Sequence, residues 1–146
     1  MKKPTMGLAA LAAMGLVSIA AAQTVGPPTL PGDVKYAPIP FAPGAESVYL
    51  ASDGAKPEMY TLRVHLKPDA KIPPHTHPDG RMITVLSGEV MAGKGDRLDP
   101  ANGVLLQAGS FFVVPAGAPH WSWAKNGDAV YQETGTGPTA TNLIKQ

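Results

Sequence analysis

The chain has 146 residues, twelve basic and eleven acidic side chains, and no cysteine. Without cysteine, a disulfide framework and a thiolate metal or nucleophile site are both excluded, and a near-neutral charge with no basic stretch argues against a nucleic-acid partner. The length suits one domain with an apolar core of its own.

Lys2 and Lys3 open the chain, Met6 to Ala22 is uncharged and rich in Ala, Leu, Gly and Met, and Ala20-Ala21-Ala22 precedes Gln23. This pattern predicts a signal peptide over residues 1–22. The competing reading is an uncleaved anchor, because the run approaches the roughly 17-residue lower limit for a span. The small-residue ending favours cleavage, hence a periplasmic or secreted protein with no membrane contact afterwards. Removing residues 1–22 leaves ten basic against eleven acidic groups.

Residues 23–44 hold Pro27, Pro28, Pro31, Pro38, Pro40 and Pro43 and read as an extended arm that lies along the body or reaches a second subunit in a homodimer. Strands are expected at Ser47–Leu50 and at Met59–Leu66, where Tyr60, Leu62, Val64 and Leu66 share one face. His65 falls on the opposite, polar face with Arg63 and reads as a solvated or interface histidine. Met82–Ser87, Gly88 and Val90–Ala92 read as a hairpin. Further strands follow at Gly103–Leu106, Ser110–Val114 and Trp121–Ala124, and Asn126-Gly127 predicts a second hairpin turn into Ala129–Thr134. Gly135 to Gln146 reads as a loosely held tail. Short strands broken by Gly and Pro, with no helical period, predict an all-β sandwich or barrel over residues 45–138, with residues 139–146 as the tail.

The chemistry concentrates at Pro73-Pro74-His75-Thr76-His77-Pro78-Asp79-Gly80-Arg81. In an extended segment residues i and i+2 point the same way, roughly 7 Å apart, so His75 and His77 can close on one metal ion; the bland alternative is two histidines in a Pro-rich surface loop. The prolines withhold N–H donors and fix φ, which predicts a stiff lead-in to a strand at an edge or bulge. Further on, Pro115-Ala-Gly-Ala-Pro119 delivers His120 to the start of a strand.

Taken together, these segments resemble the paired motifs of the cupin superfamily. The first family motif is His-x-His, three or four residues, Glu, six residues and Gly; His75, His77 and Gly88 fit it. The second is Gly, five residues, Pro-x-Gly, two residues, His, three residues and Asn; Gly109, Pro115, Gly117 and His120 fit it, with Ala124 in place of the Asn. The resemblance implies a double-stranded β-helix, or jelly-roll barrel, in a small exported single-domain protein. It departs at the family's glutamate, where Arg81 or Met82 stands and neither side chain ligates a hard or borderline cation.

The resemblance then implies a three-His shell, His75, His77 and His120, of the kind found in non-haem iron dioxygenases. A divalent transition metal is expected there, iron before zinc, manganese or nickel, with a small-molecule ligand bearing a carboxylate, enol or diketone. The activity implied is a dioxygenase, or a metal-dependent isomerase or lyase. The alternative is a binding or sensing module without turnover. Arg81 is the candidate catalytic residue if it steadies substrate charge; its competing role is a salt bridge to Asp79 or Glu133. Ser122, Ile83 and Val85 are candidate cavity residues, Gln132 faces either way, and Phe111, Phe112, Trp121, Trp123 and Tyr131 read as core or arm-packing aromatics.

Overall fold

The structure, a computed structural model, describes residues 25–145, so the expected signal peptide lies outside the described residues. Eleven strands follow in order: β1 (Ala37–Pro38), β2 (Ala45–Ala51), β3 (Met59–Leu66), β4 (Lys71–Thr76), β5 (Arg81–Ser87), β6 (Glu89–Lys94), β7 (Gly103–Gln107), β8 (Phe111–Val114), β9 (His120–Trp123), β10 (Ala129–Thr136) and β11 (Asn142–Leu143). They form two antiparallel sheets, ordered β1-β2-β3-β10-β5-β8 and β11-β4-β9-β6-β7. The all-β expectation holds.

Alternation along the long strands decides what lies between the sheets. Tyr60, Val64 and Leu66 of β3, Arg81, Ile83 and Val85 of β5, and Ala129, Tyr131, Glu133 and Gly135 of β10 are buried, as period-2 side-chain geometry requires. The register stacks them in inward rows. Tyr60, Gly135, Arg81 and Val114 form one row; Leu62, Glu133, Ile83 and Phe112 form the next; Val64, Tyr131 and Val85 form a third. Two charged residues thus enter the core diagonally across β5 and β10, within reach of each other because long side chains span the diagonal.

The two hairpins expected from Ser87-Gly88 and Asn126-Gly127 are corners instead. β5 lies in the first sheet and β6 in the second, and β9 and β10 are likewise divided. Gly88 turns its corner at φ +69°, and a Cβ there would sit 2.0 Å from the Asp128 carbonyl oxygen, so the two corners pack against each other. A turn signal says that the chain reverses and says nothing of which sheet receives it; strands that switch sheets at corners are how a sandwich closes.

The segments at either end are also placed. Ala37–Pro38 pairs with Ser47 and Glu46 at the edge of the first sheet, with Ile39 and Phe41 against the core. The segment read as a loose tail supplies β11, which pairs with His75 and Thr76 at the edge of the second sheet. Among the aromatics, Phe111 departs from expectation: it is exposed, with Val113, because alternation on edge strand β8 turns both outward.

Trp121 is 1% exposed and lies across glycines. A Cβ built on Gly93, its register partner, would stand 2.0 Å from Cζ2 of the indole. Gly93→Ala should therefore displace the ring beside His120 and cost about 1–3 kcal/mol as overpacking. A lower urea midpoint with an unchanged slope would show this; an unchanged midpoint would count against it.

Candidate metal centre

The two prolines before His75 do more than stiffen the strand. β4 pairs with β9 through Lys71↔Trp123 and Ile72↔Ser122, then shifts by one residue to His75↔His120. The extra residue falls at Pro73-Pro74, where missing N–H donors cannot sustain the ladder, and the bulge turns His75 inward opposite His120. His77, two residues on, points to the same side and is also buried. The turn before β9 docks on the first motif: Gly117, at φ +73°, donates its N–H to the His77 carbonyl at 2.8 Å. Both motifs are thus held as one unit.

Each imidazole has one nitrogen committed. His75 Nδ1 donates to Pro73 O at 2.7 Å, His120 Nδ1 to Ala118 O at 3.0 Å, and His77 Nδ1 to Ala140 O at 2.7 Å. A carbonyl only accepts, so the proton sits on Nδ1 and Nε2 is left as the lone-pair nitrogen in all three rings. The rings crowd together, with centroids 4.7, 4.2 and 5.2 Å apart, and one ligand nitrogen from each lies within 4.8 Å of the others. Imidazole nitrogens around one ion at about 2.1 Å stand at most about 4.2 Å apart, so only a small convergence separates this arrangement from a ligand shell. His77 Nε2 is buried and has no hydrogen-bond partner among the described residues; a nitrogen left bare in this way fits a metal ligand.

The electrostatics keep these rings neutral. Burial, with the charge of His120 and Arg81 beside it, pushes His75 down to about 4. Burial and then Arg81 push His77 down to about 3, and burial lowers His120 as well. Neutral imidazole is the ligating form, so protons compete weakly for this site at neutral pH.

Arg81 is buried and points inward, but it does not line the cavity over His75 and His120. Its Nη1 pairs with Glu133 Oε2, its Nη2 donates to Thr139 Oγ1 at 2.7 Å, and its Nε lies 3.6 Å from Asp79 Oδ2. Tyr60 and Thr139 both donate to Asp79. Gly135 leaves the room for this network, since a Cβ there would meet Tyr60 Oη at 2.5 Å and Asp79 Oδ2 at 2.6 Å. Burial pulls the guanidinium toward neutrality more strongly than any one neighbour acts, and Glu133, Tyr60 and Asp79 together more than offset it, so its pKa lies above the ordinary value.

The residue that does reach the cavity is Glu133, together with Tyr131, Ser122, Ile83 and Val85. The space among them is about 20 Å³, room for roughly one water. Glu133 appeared in the sequence only as a salt-bridge partner; its parity with Tyr131 along β10 was the available signal that it points inward. Gln132 points outward and accepts from Arg63 Nη2 at 2.9 Å. His65 lies outside the site, 3.0 Å from Asp128 Oδ1 on the outer face.

Two outcomes follow. Unfolded histidines titrate near about 6.5, well above the folded values of about 4 for His75 and about 3 for His77. Below about 6.5 the unfolded chain binds protons that the folded chain refuses, so stability falls as pH is lowered through that window. Urea unfolding of the metal-free protein should show about 1–2 kcal/mol lost per buried histidine between pH 7 and 5; equal stability at both pH values would contradict the burial argument. Separately, Arg81→Met leaves Glu133 buried beside Asp79 without its cation and should cost about 3–5 kcal/mol, most of it recovered by adding Glu133→Leu. A double variant no more stable than the single would show that the two side chains are not coupled.

Residues 62–131 match the family described as Cupin domain, and no curated protein sequence matches the chain. Among solved structures, the chain is similar to the polyketide cyclase RemF from Streptomyces resistomycificus (TM-score 0.70, 19% identity, covering 84% of this chain and 87% of that one). It is also similar to an RmlC-like cupin from Shewanella frigidimarina NCIMB 400 (TM-score 0.60, 18% identity, 74% and 87%) and to an oxalate oxidase (TM-score 0.56, 23% identity, 73% and 57%). At such identities the likeness is one of fold. With the family match, the two facing antiparallel sheets and three histidines at one centre, residues 62–131 belong to a cupin domain.

Proposed function

We propose that this protein is an exported mononuclear metal-binding cupin, periplasmic or secreted. It holds one divalent transition metal through Nε2 of His75, His77 and His120 and acts on a small carboxylate, enol or diketone compound. The observation that carries the reading is the convergence of three imidazoles, two buried and one half-buried, each with its Nδ1 proton donated to a main-chain carbonyl. An all-imidazole shell adds no negative charge, so an anionic substrate oxygen is not repelled, and iron is the first candidate before zinc, manganese or nickel. A bound metal would supply Lewis acidity or, as iron, oxygen chemistry, giving an isomerase or lyase in the first case and a dioxygenase in the second.

The chain's own residues supply position and charge. Arg81 acts on the site through Glu133, holding that carboxylate at the cavity wall, and Ser122 and Tyr131 offer hydroxyls on the same wall, 3.4 Å from each other. Ala92 and Phe112 border both the cavity and a groove of about 580 Å³ lined by Val104, Leu106 and Val114, which gives an organic molecule room next to the metal. Polyketides and oxalate, named in two of the similar structures, are both oxygen-rich carbonyl compounds. A metal- or ligand-holding module without turnover is the second reading, favoured by the small size of the cavity itself.

Elemental analysis of the protein, purified untagged without chelators, should find one transition metal per chain, and titration of the metal-free form should restore it. His75→Ala should abolish that binding while leaving the metal-free fold intact. Stoichiometric metal in His75→Ala would overturn the shell. Iron in the protein together with oxygen uptake on diketones or aromatic acids would decide for an enzyme; metal without turnover on any of them would decide for the holding module.

A further inference from the structure

The three ligand orientations do not have the same origin. His75 and His120 each follow a proline, in Pro73-Pro74-His75 and Ala118-Pro119-His120, and each donates Nδ1–H to the carbonyl two residues back. Proline fixes φ just before the histidine, so the ring and its acceptor are set by three consecutive residues. Thr76 precedes His77, and no local carbonyl accepts its proton. Its acceptor is the carbonyl of Ala140, 63 positions further along the chain.

We infer that the C-terminal segment Thr139–Ile144 is a positioning element of the metal centre, selecting the ligating form of His77 and thereby setting metal affinity. Thr139 accepts from Arg81 Nη2 and donates to Asp79, and its own N–H donates to Gly54 O at 2.8 Å. One residue later Ala140 receives His77. The segment then pairs as β11 with Thr76 and His75, and Ile144 N–H donates to Pro74 O at 3.0 Å. Two adjacent residues therefore grip the cation beside the site and one of the ligands within it.

Hydrogen bonds hold this strap, since Ala140 to Leu143 are all exposed. A segment with so little apolar burial opens at lower cost than the core strands. When it opens, His77 loses its acceptor, its proton is free to occupy either nitrogen, and the Nε2 lone pair is no longer assured. Linkage then works in both directions: a closed strap favours the metal, and the metal favours a closed strap.

The affinity readout rests on the metal-site reading above, whereas the protonation readout does not. Long-range proton–nitrogen correlation on the metal-free, nitrogen-15-labelled protein reports which ring nitrogen carries the proton. In the full chain all three histidines should be protonated on Nδ1. In a chain ending at Pro138, His75 and His120 should keep that form while His77 loses it, and zinc or cobalt affinity should fall about 10- to 100-fold, the usual effect of removing a ligand's outer partner. Ile144→Pro, which removes one anchoring N–H and leaves every site residue in place, should shift His77 in the same direction and decides the matter if the shortened chain does not fold. His77 still on Nδ1 in these variants, or a changed His77 with unchanged affinity, would overturn the inference. A full chain that binds no zinc or cobalt would instead sink the metal-site reading, with the His77 comparison still deciding the role of the strap.

Discussion

An imidazole offers a metal one nitrogen only when its other nitrogen keeps the proton, and three rings can converge only when three acceptors are in place to hold those protons. In this protein the acceptors are main-chain carbonyls, which neither titrate nor change rotamer. The bulge at Pro73-Pro74, the Gly117 turn docked on His77 and the closure of β11 over β4 all bring a carbonyl or a ring to that meeting point. Burial completes the arrangement by disfavouring the protonated rings, so the centre is neutral and its ligand nitrogens are bare.

A second constraint lies next to the first. Arg81 is buried, and a buried cation needs a countercharge. Glu133 and Asp79 provide it from β10 and from the loop before β5, with Tyr60 and Thr139 completing the hydrogen bonding. A carboxylate, Glu133 of β10, therefore faces the cavity already bonded to a cation. The three-histidine cluster thus offers three neutral imidazoles at close range, with an ion pair behind them.

Strand connectivity explains why the site is assembled from so many parts of the chain. Because the chain switches sheets between most successive strands after β3, at corners such as Gly88, residues distant in sequence face one another across the interior. Glu133 meets Arg81 across 52 positions, and His77 meets Ala140 across 63. The exposed segment that closes the structure is thus also in contact with its most buried chemistry.

Much of this was legible in the residues themselves. Alternation in Met59–Leu66 marked an inward face, the prolines signalled an irregular strand, and the resemblance of His75, His77, Gly109, Pro115, Gly117 and His120 to the cupin motifs implied the fold and the ligand trio. The first two are local properties: side-chain parity and φ restriction act over two or three residues. What the residues left open was every pairing that closes over a long loop. The corners at Gly88 and Asn126-Gly127 resembled hairpins because a turn does not carry the identity of the receiving sheet. Arg81 had two candidate roles, and the register of β5 against β10 gave it Glu133. The last residues looked idle because only the second sheet, once formed, offers β11 an edge to pair with. Tertiary structure decided these points because non-local pairing depends on where the whole chain goes.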